Sequence, residues 1–261
     1  MSNLGFIIPT HCSKKEHILS LNTCISNIRM FYPNNKIIIV NDDSTEDIVL
    51  YNNENVEIID SIVKKGGEVN PYILYLENKY FDKAVIIHDG MYIKKKLENI
   101  DKIENVMFIW YFTNHRTDWC FIKEPKSEYN KSNNIETHDD LIIHCVKKYP
   151  FTEEFKEYTL SLYYYKLNWC GCFGIQSIIT HNFLHKLESK TGIVTVFKNF
   201  NSRRLRMVGE SLFSIACQFI LGDEVFEKSF DGLYYDGIHP VKKSYGYCCD
   251  KTYFKKKSFN R

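Results

Sequence analysis

The sequence predicts an α/β fold with a central, mostly parallel sheet and helices on both faces. Three observations carry this. The runs LGFIIP at 4–9, KIIIV at 36–40, VEIID at 56–60 and AVIIH at 84–88 are short and β-branched. Their apolar residues run on rather than alternate, as in strands covered on both sides. Helical stretches separate several of them, the order that builds parallel sheets. Polar residues gather where these runs end, at Asn41-Asp42-Asp43-Ser44, Asp60 and Asp89. Open α/β sheets place their ligand crevice outside those ends.

In order, Leu4–Pro9 is a buried strand closed by Pro9 and Thr10. Ile18, Leu21, Ile25, Ile28 and Phe31 follow at helical spacing and predict a helix over 14–31, stopped before Pro33. Lys36–Val40 and Val56–Asp60 are the second and third strands. Gly66-Gly67 opens a loop into a helix over roughly 70–81, and Ala84–His88 is the fourth strand. Val106–Phe112 reads as one strong strand and 113–136 as a polar loop. Residues 138–148, 176–188 and 203–220 read as helices, 158–167 as a Tyr-rich stretch, and Trp169–Gly174 as a tight Gly-containing segment. The tail, 241–261, is basic and aromatic without a clear period. There is no internal repeat and no linker-like break. The expectation is a single domain: a nucleotide-binding half over about 1–112, an acceptor half over about 113–240, and the tail.

Composition bounds the function. The 261 residues carry Lys+Arg 34 against Asp+Glu 32, a net charge of only +2. That excludes a nucleic-acid binder resting on bulk positive charge. With 44% hydrophobic residues, disorder is excluded too. The wealth of Ile, Lys and Asn fits an A/T-rich genome. The nine cysteines show no even framework and no secretory core precedes them. The expectation is reduced thiols in the cytoplasm, a host cytoplasm or virion if viral, and no membrane-spanning segment. Lys255-Lys256-Lys257 among Tyr253, Phe254 and Phe259 predicts at most weak contact with a membrane surface or an acidic partner.

Six pieces in this order, FIIPTH at 6–11, its following helix, KIIIVNDDS at 36–44, VEIID at 56–60, KKGGEVNPYI at 64–73 and AVIIHDG at 84–90, resemble the nucleotide-sugar half of GT-A glycosyltransferases of the family 2 kind. With the compositional bias, the set is similar to glycosyltransferases of giant DNA viruses. The likeness covers about 4–95 well and 165–215 loosely. It implies a GT-A type sheet, a nucleotide-sugar donor with UDP favoured, and a hydroxyl acceptor such as a glycan or protein. It also implies Mn2+ or Mg2+ on the donor diphosphate. Thr10, His11, Asp42, Asp43, Lys65 and Gly66 then line the nucleotide pocket. The metal falls to Asp89, with His88 and, near the C-terminus, His239; Lys242 and Lys243 could reach phosphate. Glu210, in Arg206–Ser211, takes the place of the general base near a helix start.

The chemistry stands without the name. A diphosphate leaving group gathers negative charge as its bond to the sugar breaks, and a carboxylate-held metal ion can neutralise it. A base must take the proton of the attacking hydroxyl if configuration inverts. The sequence departs from the family pattern twice. The Asp-x-Asp motif reads Asp89-Gly90-Met91, with His88 before it, and the Glu-Asp pair reads Glu210-Ser211. A strand-end turn at Asp89-Gly90, a capping role for Asp42 and Asp43, and a first-turn acid at Glu210 are the plain alternatives. At the level of function, a nucleotide-sugar or glycan binder without transfer and a nucleotidyltransferase stay open. His181 and His185 lack the Glu of a zinc protease, and Cys170-x-Cys172 lacks zinc spacing.

Overall fold

The computed structural model describes residues 3–113, 135, 137–227, 248–250 and 254–257. Strand β1 (Leu4–Thr10) is followed by helix α1 (Lys15–Phe31), β2 (Ile37–Asn41), β3 (Val56–Asp60), a 3-10 turn (Gly67–Val69), α2 (Asn70–Glu77), β4 (Lys83–Ile86) and β5 (Met91–Ile93). Then come β6 (Val106–Phe108), β7 (Tyr111–Thr113), α3 (His138–Lys148), α4 (Glu153–Tyr164), β8 (Cys170–Cys172), a 3-10 turn (Phe173–Ile175) and β9 (Ser177–Thr180). Helices α5 (His181–Thr191), α6 (Ile193–Phe197), α7 (Arg203–Leu221) and α8 (Glu224–Glu227) precede β10 (Cys248–Asp250) and β11 (Phe254–Lys257).

The main sheet runs β3-β2-β1-β4-β9-β6. Strands β3, β2, β1 and β4 are parallel, with Phe6 beside Ile37 and Val85, and Ile37 beside Val56. Strand β9 is antiparallel to both β4 and β6. The fold class is therefore α/β with a mostly parallel central sheet. Successive side chains of a strand point to opposite faces, and the two cores divide accordingly. Ile7, Ile38, Val40, Ala84 and Ile86 join a cluster with α2, α5, α6 and α7. Phe6, Ile8, Ile37, Ile39, Val85 and Ile87 join Leu21, Cys24, Ile25 and Ile28 of α1. Nearly all of them are fully buried. Each such side chain contributes about 1.5–3 kcal/mol of burial, so both layers stay on the sheet.

Four sequence expectations change. Residues 176–188 hold a strand and then a helix: Ser177–Thr180 completes the sheet, and Thr180 caps α5 by accepting from Phe183 N. Ile178, Ile179, Phe183, Leu184 and Leu187 fit a helical spacing from one element into the next, which hides the junction. Val106–Phe112 is two strands in two sheets, since β7 pairs with β8. Most of the Tyr-rich stretch lies in α4, whose N-cap is Thr152 with Glu153 and Glu154 in the first turn. The tail holds a hairpin, β10–β11, that pairs with β5. No helix among the described residues is long and apolar enough to cross a membrane.

Candidate active site

Chain order reverses between β1 and β4: β2 and β3 extend the sheet on one side of β1, β4 on the other. Such a switch point opens a crevice at the strands' C-terminal ends. Thr10 ends β1 and Asp89 follows β4, and Thr10 Oγ1 donates to Asp89 Oδ2 at 2.7 Å. Both are buried. Ser20 of α1 donates to the Asp89 backbone carbonyl at 3.1 Å. Burial pushes the Cys24 thiol up, and the nearby negative charge of Asp89 adds to the shift.

Asp42, at the end of β2, is almost fully buried. Its Oδ1 accepts from Lys65 N at 2.8 Å and Ser61 Oγ at 3.1 Å, and its Oδ2 from Gly67 N at 2.7 Å. One carboxylate thus gathers three donors from the loop between β3 and α2. The loop is held twice more. Asn70 Oδ1 accepts from Val63 N at 2.9 Å while its Nδ2 donates to Val63 O at 2.8 Å. Arg206 of α7 donates to Lys65 O at 2.8 Å and pairs with Glu68 at 3.1 Å. Gly67 adopts φ +49, and an added Cβ would crowd the Arg206 side chain at 3.3 Å, so glycine fits both the turn and the close approach. Lys65 and Asp43 also take positive φ, 62 and 58. Such φ values are uncommon outside glycine and mark a backbone held by its surroundings.

The other expected residues fall around this hub. The His11 Nδ1 bonds the Asp42 carbonyl at 2.8 Å; a carbonyl only accepts, so Nδ1 carries the proton. Asp43 is exposed and pairs with Lys64 at 3.4 Å. Gly66 is buried, and a Cβ there would meet Asn70 Nδ2 at 2.6 Å. His88 turns toward the second half of the chain: its Nε2 bonds Gly174 O at 3.0 Å, and its N–H donates to Gln176 Oε1 at 3.1 Å. Gly174 has φ +60, and a Cβ would lie 2.8 Å from His88 Cε1. His239, Lys242 and Lys243 lie outside the described residues.

Glu210 stands two turns inside α7, which begins at Arg203 with Ser202 as its cap. This corrects its placement near a helix start. The N-terminal macrodipole acts within the first turn and does not account for the acid. Arg206 and Glu210 are four apart, hence on one face of α7. That face meets the loop between β3 and α2 through Arg206. It meets β8 as well, where burial, Cys217 and then the charge of Glu210 hold the Cys172 thiol well up. Ser211 is buried and shares a 3.2 Å hydrogen bond with His138 Nε2.

The chemistry of a divalent-metal site fits these residues poorly. Asp89 Oδ2 already accepts from Thr10. Met91, at the second acidic position, is fully buried in the apolar cluster around α1. The His88 Nε2, facing a carbonyl, is a donor and not a ligand. Among the described residues no three His, Cys, Asp or Glu side chains gather as a metal site.

Three connections went unread in the sequence: Ser61 and Gly67 on Asp42, Arg206 across to Lys65, and Gln176 with Gly174 on His88. The Gly66-Gly67 pair and the spacing of Arg206 to Glu210 were the available signals.

No family model matches the chain, and no characterised protein matches it by sequence. Among solved structures it is similar to S. aureus TarS 1–349, at 14% identity and TM-score 0.41, covering 81% of this chain and 56% of that one. TarS 1–349 in complex with UDP-GlcNAc matches at 20% identity and TM-score 0.33 over 41% of this chain and 33% of that one. Core-mannan synthase A (CmsA/Ktr4) from Aspergillus fumigatus, Mn/GDP-form, matches at 9% identity and TM-score 0.47, over 88% and 72%. The chain spans only 18% of the longer TarS structure, 33% and 56% of the two TarS 1–349 chains.

Proposed function

We propose that this protein is a GT-A type glycosyltransferase that moves a sugar from a nucleotide-sugar donor, UDP-linked by preference, to a hydroxyl of a glycan or protein acceptor. The observation that carries the reading is the contact between Thr10 and Asp89 across the switch point, beside a loop built onto Asp42. A crevice there suits a nucleotide lying along the ends of β1 and β2, with its diphosphate toward β4. Thr10, His11, Asp43, Lys65 and Gly66 border the nucleotide. Asp42 acts through the loop, because its carboxylate is occupied by that loop's own donors.

In the reaction an acceptor hydroxyl oxygen attacks the anomeric carbon. The bond from that carbon to the diphosphate oxygen breaks, and the nucleoside diphosphate leaves with the electron pair. In an inverting course the hydroxyl proton passes to Glu210, which the Arg206 face of α7 carries toward the loop. A retaining course dispenses with that base. If a divalent ion accompanies the donor, it supplies positive charge to the diphosphate; Asp89 is the carboxylate to meet it.

A second reading has its own observation. Ser211, in place of an acid, is buried against His138, and Asp89 is followed by Gly90 and Met91 where the family pattern has a second acid. A protein that binds nucleotide-sugar without transferring it satisfies both facts.

Thermal unfolding with UDP, GDP, CMP and UDP-sugars tests the binding step, since a ligand of the native state raises the midpoint by mass action. Release of UDP from a UDP-sugar, measured with and without acceptor, separates the two readings: turnover identifies the transferase, and a shift without turnover the binder. Release of pyrophosphate would identify a nucleotidyltransferase. No shift with any nucleotide would sink both binding readings.

A further inference from the structure

The loop between β3 and α2 is closed by a residue from the other half of the chain. Lys65 holds a left-handed backbone, with φ 62. A lysine has none of the freedom of glycine there, and such a conformation persists only when its surroundings hold it. Two groups do so. The Lys65 N–H donates to Asp42 Oδ1 at 2.8 Å, and the Lys65 carbonyl accepts from Arg206 Nη1 at 2.8 Å. The residue is gripped from both sides, by the end of β2 and by the first turn of α7.

The loop's other backbone anchors come from nearby in the chain. Asn70 holds both polar groups of Val63, and Asp42 accepts from Gly67 N. Gly66 N donates to Val63 O at 3.0 Å, and Val69 N to Gly66 O at 3.2 Å. Arg206 alone among these partners belongs to the second half. Its planar guanidinium suits the task, because one fork can address two oxygens. While Nη1 serves the carbonyl, Nε faces Glu68 Oε2 at 3.1 Å. Glu68 lies in the 3-10 turn that ends the loop, so both oxygens sit on one short segment. The two side chains are 25% and 15% exposed, and salt screens such a pair less than an open one. Helix α7 is also seated without Arg206. A Cβ on Gly209 would lie 3.3 Å from Phe200 and 3.4 Å from Ile175. Shortening Arg206 therefore leaves the helix docked, and the change falls on the loop.

We propose that Arg206 is a positioning residue of the nucleotide site: it holds Lys65 in its left-handed conformation and so fixes the loop over 63–67 in the shape that borders the nucleoside. The inference rests on the nucleotide-sugar reading and extends that site to α7, beyond the first half of the chain. Arg206 touches the loop and acts through it, while the nucleotide meets Lys65 and Gly66. Glu210 follows one turn later on the same face of α7. The contact that shapes the donor loop thus also ties it to the helix that carries this carboxylate.

The test uses the full chain and two probes, UDP and uridine, with affinities measured by calorimetry in the presence of Mn2+. A loop at the nucleoside end serves both probes alike. Arg206→Gln should weaken UDP and uridine by the same factor, about tenfold, as a strained residue is left free to relax. Lys65→Gly supplies the check, because glycine takes positive φ without strain. In the Lys65→Gly background the loop keeps its shape unaided, and adding Arg206→Gln should weaken binding by less than about threefold. Whatever Lys65→Gly costs by itself, the double-mutant cycle reads the coupling between the two positions. Equal losses in both backgrounds overturn the proposal, since Arg206 then does not act through the Lys65 backbone. A loss confined to UDP overturns it too, since the guanidinium then meets the diphosphate directly. Unchanged binding in Arg206→Gln overturns it as well. So does an Arg206→Gln chain that unfolds and is not restored by Lys65→Gly, since Arg206 is then only a structural support. A wild type that binds neither probe ends the nucleotide-sugar reading itself. That outcome is distinct from wild-type binding that Arg206→Gln leaves intact.

Discussion

Asp42 and Gly67 meet at 2.7 Å across 25 residues of chain, a carboxylate oxygen accepting from a backbone N–H. The bond ties the end of β2 to the loop that leads into α2. It is one of three that end on the same buried carboxylate. A residue expected to face a nucleotide directly is thus the anchor of the loop that would face it.

Replacing Asp42 by Ala should unfold this hub. Two backbone N–H groups and a serine hydroxyl lose their acceptor, and each buried donor left unmade costs about 1–3 kcal/mol. A chain of this size loses about 2–4 °C of Tm per kcal/mol. Thermal unfolding should show a drop of about 5 °C or more, with nucleotide binding lost in parallel. An unchanged midpoint would mean that the loop holds itself.

Asp89→Asn separates chemistry from folding. The substitution keeps the shape, and Thr10 Oγ1 can still donate to the amide oxygen. Only the charge goes. Transfer should fall by about 10²-fold or more, with little change in Tm. Thr10→Val, which removes the donor and leaves the carboxylate, should cost less in rate. Steady-state rates on a UDP-sugar check the order; a Thr10 variant slower than the Asp89 variant would reverse the roles assigned here.

Glu210→Gln tests the base. In an inverting enzyme kcat should fall by about 10²–10⁴-fold while the shift in Tm on adding UDP stays the same. A rate within a fewfold of wild type would direct attention to a retaining course.

Gly174→Ala tests the seam between the two halves. At φ +60 a Cβ costs about 1–2 kcal/mol, and this one would press on the His88 ring from 2.8 Å. Stability should fall by more than that conformational cost alone. Adding His88→Ala should recover part of the loss, a coupling that a double-mutant cycle measures.

Stability should also fall in mild acid. Burial holds His138 down at about 4 in the folded chain, against 6.5 for an ordinary histidine. Above 6.5 both folded and unfolded chains carry it neutral, and its contribution is complete. Between 6.5 and about 4 the unfolded chain takes up a proton that the folded chain refuses. Stability is then lost at about 1.4 kcal/mol per pH unit, about 3 kcal/mol in all. His138→Gln should flatten that part of a denaturant-midpoint profile. Burial lowers His144 and His181 as well, so a smaller slope should remain.

The N-terminal strands were legible because their signal is local. Four consecutive apolar residues in KIIIV need two covered faces wherever they lie, and the polar clusters after them mark the strand ends. The same local reading placed Thr10, Asp42 and Asp89 at or just past strand ends, where the structure has them. It failed where the information is not local. Ile178 and Ile179 of β9 and Phe183, Leu184 and Leu187 of the helix after it fit one helical spacing, and the cap at Thr180 divides them. Val106–Phe112 reads as one strand, but its two ends pair with different partners, β9 and β8.

From the order of residues alone came the α/β class, the parallel first half, and a set of polar residues at strand ends. Hydrophobic periodicity and turn chemistry act over a few residues, and they are written in the chain. Tertiary structure alone decided that Asp42 spends its carboxylate on a loop, that His88 turns to Gly174, that Glu210 lies inside α7, and that Arg206 reaches across to Lys65. Each of these depends on which distant segments meet, and pairing between segments is set by the packing of the whole chain.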